Sequence, residues 1–221
     1  MAAHELRTPV TALIGSLATL ERLLGSSRLD PAELDLLVAS SRQARRLSRL
    51  IEDLTVVAEN GSAGITVNPR EVEVEQAVGG VVGDLEHLGA DRVKITSAPG
   101  LVAWTDPDRL AQVLTNLIRN ALQYSPPDSP VEVIASAAGE TVEVAVVDRG
   151  PGIPEDEVDH LFDRFGREGT GPATGLGVGL WTVRELLDVM KGSIEVERNA
   201  EGGATFTIAI PVPKPSKPPK R

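Results

Sequence analysis

The sequence predicts an α + α/β architecture, with an N-terminal antiparallel helical hairpin followed by a domain of mixed helices and strands. Three observations predict it. Apolar residues in the first 60 positions recur at steps of three and four. A stretch of small residues, Asn60 to Gly64, then interrupts the pattern. Beyond it, alternating Val, Ile and Thr runs are interleaved with helix-period segments. The expected boundaries are a hairpin at 1–59, a linker at 60–68, a mixed domain at 69–213 and a disordered Lys/Pro-rich tail at 214–221.

In the first helix, residues 1–25, the seam is Leu6, Val10, Leu13, Leu17, Leu20 and Leu24, the heptad spacing of a coiled coil or bundle. In this phase His4 and Thr8 fall outside the seam. Gly25, Ser26 and Ser27 end the helix. Asp30 and Pro31 then supply an N-cap and a first-turn proline for a second helix, which runs to about Glu59. Its stripe takes Leu34, Leu37, Ala44, Leu47, Ile51, Leu54 and Ala58. Two helices cannot bury so long a seam on both sides, so pairing of two hairpins into a four-helix bundle is expected.

In the mixed domain, short strands are expected at Ile65–Val67, Val93–Ser97 and Leu101–Thr105. A helix is expected over Glu73–Leu88, although Gly79, Gly80 and Gly83 weaken it. Asp106 and Pro107 cap a long helix reaching about Gln123. Hairpins follow at Val131–Ala137 with Thr141–Val147, and at Ser193–Arg198 with Ala204–Ile210. A helix over Val178–Met190 lies between them.

Composition narrows the function. The net charge is -10, and it is concentrated in residues 61–213, which hold eleven Lys/Arg against twenty-four Asp/Glu. A chain this acidic is a poor general nucleic-acid binder. The absence of cysteine excludes disulfides and thiol chemistry, and fits a cytoplasmic setting. No apolar run is long enough to span a membrane, so no membrane contact is expected within this sequence.

Five clusters carry candidate chemistry. His4, His87 and His160 are the side chains whose unperturbed pKa lies near neutrality and which can also accept a phosphoryl group. A lone surface histidine is most simply solvated, but His4 has Glu5 beside it as a proton acceptor and Thr8 one helical turn on. Asn116 and Asn120 are also one turn apart, and their amides suit Mg2+ or phosphate. Asp148 ends a strand and can accept from the exocyclic amine of adenine, while Gly150 and Gly152 let backbone approach a flat ring. Leu161 to Phe165 precedes a stretch, 166–174, with the composition of a mobile lid, in which Arg167 is placed to reach a terminal phosphate. Gly175, Gly177 and Gly179 open a helix whose N-terminus favours an anion. The Gly-Lys-Ser/Thr ending of a P-loop is missing.

In this order the clusters resemble the catalytic core of the sensor histidine kinases of bacterial two-component systems. His4–Pro9 is similar to the H box, Asn116–Ser125 to the N box, Asp148–Pro154 to the first glycine box, Leu161–Phe165 to the F box and Gly175–Leu180 to the second glycine box. Gly202 to Phe206 resembles the terminal glycine/threonine stretch, which includes Thr205. The resemblance implies a dimerising phosphotransfer hairpin and a Bergerat-type ATP-binding α/β sandwich. It implies that His4 is phosphorylated from ATP, with Glu5 taking the ring proton. It also implies Asn120 on Mg2+, Asn116 near the phosphates, Asp148 on adenine and Tyr124 packed near the ring. The phosphoryl group would pass to an aspartate of a response regulator receiver domain, and Thr8 would orient water for the opposing phosphatase reaction.

Gln123 stands where the family usually has a phosphate-contacting lysine, and Lys191-Gly192 where it usually has Gly-Gly. His4 lies three residues from the start of the sequence, whereas the family's first helix begins well before that histidine. The sequence is therefore expected to be a fragment of a longer sensor. Two other readings stay open. One is a degenerate kinase acting as an ATP- or response-regulator-binding module. The other is a related ATPase of the gyrase, mismatch-repair or chaperone type, although Asn116 occupies the position where those enzymes need a glutamate base.

Overall fold

The computed structural model describes residues 65–163 and 179–213, together with residues 13, 15–17, 19, 20, 32, 33, 36, 37, 39, 40 and 44. His4, Glu5, Thr8, Arg167, Gly175 and Gly177 lie outside the described residues, as do the stretch 60–64 and the tail 214–221. The described residues between 13 and 44 are helical. Two seam leucines seven residues apart, Leu13 and Leu20, stand 48% and 43% exposed in the single chain.

The larger of two compact units comprises Thr66–Gly166 and Leu180–Arg221. It opens with β1 (Arg70–Glu73) and α1 (Val74–Asp84), followed by single 3-10 turns at Glu86–Leu88 and Ala90–Arg92. Next come β2 (Val93–Ser97), β3 (Val102–Thr105) and α2 (Pro107–Tyr124). The chain continues through β4 (Val131–Ala138), β5 (Thr141–Val147), the short α3 (Glu155–Val158), α4 (Gly179–Met190), β6 (Ser193–Arg198) and β7 (Ala204–Pro211). β1 and β3 pair antiparallel, and the other strands form a five-stranded sheet in the order β2-β4-β5-β7-β6. Among the described residues only the β2–β4 pairing is parallel, and β2 and β6 end the strand order.

Strand alternation makes the sheet two-faced. Val131, Val133, Val144, Val146, Phe206, Ile208 and Ile210 are buried on one face. The core also takes Leu110, Leu114, Leu117 and Ile118 of α2 with Val183, Leu186 and Leu187 of α4, so helices cover one side of the sheet. The opposite face carries the rows Glu132, Val147, Thr205, Glu197 and Ile134, Ala145, Thr207, Glu195. Among the described residues, no helix is long and apolar enough to cross a membrane.

The first strand differs from the expectation. Ile65–Val67 alternates like a strand but has no ladder partner. Pairing begins instead at Arg70, opposite Thr105. The preceding segment is tied down by Asn68, whose backbone N–H donates to Asp106 Oδ2 at 2.7 Å. The expected helix over Glu73–Leu88 is α1 ending at Asp84, with a 3-10 turn after it. It forms despite three glycines because Val74, Val78 and Val81 are buried along one stripe.

Asp106 joins that segment to α2. Its Oδ1 accepts from the backbone N–H groups of Asp108 at 3.0 Å and Arg109 at 3.1 Å, which makes it the N-cap. Burial opposes its ionisation, but the donors from Asn68, Arg109 and Asp108 and the charge of Arg109 outweigh that and hold its pKa below the ordinary 3.8. A depressed carboxylate stabilises the fold above its unfolded pKa and loses that contribution as pH falls through its folded one. Asp106→Ala is expected to lower stability at pH 7 by about 1 kcal/mol, the ordinary value of an N-cap. Asp106→Asn should keep most of the cap while flattening the acid limb of stability below 3.8. Urea melts from pH 2 to 7 check both, and an unchanged acid limb in Asp106→Asn would remove Asp106 as its source.

At the other end of α4, Lys191 has φ +62, the left-handed conformation that favours glycine. Gly192 takes the close approach, since a Cβ there would meet Ala209 O at 2.6 Å. The Lys-Gly order thus keeps the packing glycine and places the strain on Lys191. Lys191→Gly is expected to raise stability by up to about 1 kcal/mol, read as a higher urea midpoint at unchanged slope.

Candidate nucleotide site

The site is built where β5 ends. Asp148 follows Val147 directly and is buried, 6% exposed. Its backbone extends the pairing with β7, because Asp148 N donates to Ala204 O at 2.9 Å. Its Oδ1 accepts from Gly150 N at 2.7 Å and from Ala204 N at 3.1 Å. Two main-chain donors therefore fix the carboxylate, one from the loop after β5 and one from the start of β7. This leaves Asp148 as a rigid acceptor with spare lone pairs.

Two elements close on this carboxylate. The first is the end of α2. Gly150 lies so near it that a Cβ would sit 3.0 Å from Asp148 Oδ1 and 3.1 Å from Tyr124 O. The buried hydroxyl of Ser125 accepts from Arg149 N at 3.0 Å. The second is the β6–β7 turn. Gly152 has φ +74, and a Cβ there would meet Gly202 O at 2.5 Å. Arg149 reaches the same turn by an ion pair with Glu201, and its other terminal nitrogen bonds Glu132 Oε1 at 2.9 Å.

The structure brings Tyr124, Asp148, Gly150 and Gly152 into one neighbourhood. Asn116 and Asn120 lie upstream on α2, half-buried and one turn apart. Gly179 is the first residue of α4. Thr205 follows Ala204 in β7 and pairs with Val147, next to Asp148 in sequence. It sits on the sheet face away from the helices, in register with Val147 and Glu197, whereas Ala204 is buried. Ser125 and Asn199 also touch the Asp148 loop, and sequence reasoning missed both as individual contributors. Ser125 carried a weak signal as the last residue of the N-box pattern, while Asn199 looked like any turn asparagine.

Among the described residues, no group of three or more His, Cys, Asp or Glu is placed to hold a metal ion. A protein cage for a tightly held cation is thus missing there. The side chains of Asn116 and Asn120 on α2 carry amide oxygens, hard donors of the kind that suit Mg2+.

A buried carboxylate at a strand end, with glycines against it and a helix bearing two amides nearby, is an arrangement suited to a nucleotide. Residues 105–214 match the family described as "Histidine kinase-, DNA gyrase B-, and HSP90-like ATPase". Residues 1–62 match "His Kinase A (phospho-acceptor) domain". The chain belongs to the sensor histidine kinases and carries their catalytic core. It is 35% identical to signal transduction histidine-protein kinase AfsQ2 of Streptomyces coelicolor, over 95% of this chain and 40% of that protein. It is 29% identical to adaptive-response sensory kinase SasA of Synechococcus elongatus, over 96% of this chain and 58% of that one. The chain thus spans about half the length of these curated relatives.

Among solved structures, Acinetobacter baumannii histidine kinase AdeS superposes with a TM-score of 0.65 at 27% identity, covering 96% of this chain and 98% of that one. Full-length ShkA in complex with AMPPNP gives 0.69 at 26% identity, covering 95% of this chain and 44% of that one. These likenesses agree with the α + α/β class expected from the sequence.

Proposed function

We propose that this chain is an ATP-dependent protein-histidine kinase that phosphorylates His4 and passes the phosphoryl group to an aspartate of a response regulator receiver domain. The observation that carries the reading is the presence, in one chain, of a phospho-acceptor match containing His4 and an ATPase match containing Asn116, Asn120 and Asp148. Asp148 accepts from the adenine amine, and guanine lacks that donor. Tyr124 lies beside the ring, and Gly150 and Gly152 leave room for it. Asn120 would supply an amide oxygen to Mg2+, and Asn116 on the same helix face would bind the phosphates; Arg167 and the Gly175, Gly177 and Gly179 stretch are further candidates for the phosphates by sequence. Bound Mg2+ offsets the charge of the triphosphate.

In the transfer, His4 Nε2 forms a bond to the γ-phosphorus, and the bond from that phosphorus to the β,γ-bridging oxygen breaks, releasing ADP. Glu5 takes the Nδ1 proton, which keeps the Nε2 lone pair available. Phosphoryl transfer needs little covalent chemistry from the protein, so positioning and charge supply most of the rate. Thr8, one turn after His4, orients water in the opposing phosphatase reaction on the receiver domain. Pairing of two chains is supported by the exposure of Leu13 and Leu20, whose heptad spacing suits burial against a second copy.

The test is incubation with γ-labelled ATP and Mg2+. Label on the protein that survives base and is lost in acid is expected, because that lability distinguishes a phosphoramidate from a phosphoester. Steady ATP hydrolysis with no label on the protein would instead favour a plain ATPase.

A further inference from the structure

We infer that Asn199 is a positioning residue for the adenine-reading carboxylate, acting from the β6–β7 turn; the inference rests on the proposed role of Asp148. Asn199 uses both ends of its amide. Nδ2 donates to Asp148 O at 2.9 Å and to Ala204 O at 3.3 Å. Oδ1 accepts from Glu201 N at 3.1 Å and Gly203 N at 3.0 Å. Only this orientation satisfies the surroundings, because the flipped amide would set its oxygen against two carbonyls and its nitrogen against two N–H groups. The Asn199 backbone closes the same turn through Gly203 O at 3.0 Å and Gly202 N at 3.1 Å.

The turn matters to the site because its far end touches Asp148. Gly203 packs against that residue so closely that a Cβ would lie 2.2 Å from Asp148 O. The next residue, Ala204, donates its N–H to Asp148 Oδ1. A shift of the turn therefore moves one of the two donors that orient the carboxylate. Asn199 grips both partners, holding Asp148 by its carbonyl and the turn by the Gly203 N–H. A residue that merely shaped the turn would not need the bond to Asp148. The donor end spans 51 residues of sequence to reach Asp148.

Asn199→Asp keeps the acceptor end and sets an oxygen against the carbonyls of Asp148 and Ala204, so it breaks the grip on Asp148 while the acceptor contacts within the turn remain. Asn199→Ala removes both, and Asn199→Ser serves as a smaller perturbation should either fold poorly. The readout is the ratio of affinities for ADP and for the diphosphate of purine riboside, which lacks the 6-amino group, measured by calorimetry on the full chain. Wild type should prefer ADP. Asn199→Asp is expected to lower ADP affinity about tenfold, as for loss of one oriented charge-assisted hydrogen bond, and to bring the ratio towards one. A general loss of structure would weaken both ligands alike and leave the ratio standing.

Asp148→Ala is the control. If it collapses the ratio and the Asn199 variants preserve it, the inference is wrong and the adenine role of Asp148 stands. If Asp148→Ala also leaves the ratio intact, the adenine role falls and takes this inference with it.

Discussion

His4→Gln is expected to abolish self-labelling by γ-labelled ATP while leaving nucleotide affinity unchanged. An imidazole nitrogen has an in-plane lone pair free to attack phosphorus, whereas the amide nitrogen of Gln has its pair delocalised into the carbonyl. Among the chain's other histidines, His160 is the instructive competitor. It is exposed, and its Nδ1 lies 2.9 Å from Asp163 Oδ2. That hydrogen bond, then the charge of Asp163 and the weaker influence of Asp159, raise its pKa above 6.5 against a small opposing effect of desolvation. A raised histidine pKa means more imidazolium at a given pH, and imidazolium has no lone pair to give. His160 also lies outside the phospho-acceptor match at residues 1–62, so His160→Gln should leave the label intact. Label that survives His4→Gln and disappears in His160→Gln would overturn the assignment of His4.

Gly203→Ala is expected to impair the nucleotide site and the fold together. The added methyl would stand 2.2 Å from Asp148 O and 2.8 Å from Asp148 C. Both are backbone atoms of a residue already committed to β7, so no side chain can swing away. The cost should fall at or above the upper end of ordinary overpacking, about 3 kcal/mol. Relief requires β7 to slide from the end of β5, which lengthens the Ala204 N–H bond to the carboxylate, so ADP affinity should fall as well. Gly202 provides the contrast one residue earlier. It has open space around a Cβ but φ +92, so Gly202→Ala meets only conformational strain of about 1–2 kcal/mol. Urea melts and ADP calorimetry on the two variants check the order. Gly203→Ala that is no worse than Gly202→Ala would mean the close approach is not rigid.

The long helix was legible in the sequence because its signals agree. Asp106-Pro107 marks its start, and an apolar stripe from Leu110 to Leu122 marks its buried face. The β4–β5 and β6–β7 hairpins were legible for the same reason, since alternation and turn residues coincide. β1 was not, because Ile65–Val67 and Arg70–Glu73 both alternate and only the availability of β3 as a partner chooses between them. Thr205 shows a related limit. A motif names residues, but the sheet face on which each falls depends on register, and here the inward parity belongs to Ala204 and Phe206. Asp148 and the glycines after it stood out as chemistry at a strand end. Asn199 did not, because its partner is remote in sequence and adjacent only after β5 and β7 have paired.

Among the described residues, β2 and β6 have a strand on one side only, which bears on association between copies. An unpaired strand rim offers backbone donors and acceptors to any neighbouring chain and so invites runaway stacking. Here one rim carries Lys94 on β2, and the other carries Glu195, Glu197 and Arg198 on β6, all exposed. Docking two β6 rims would bring like charges together and strip water from them, which penalises filament growth by strand addition. The same charges leave the apolar helix positions Leu13 and Leu20, both exposed in the single chain, as the more favourable surface for a second copy.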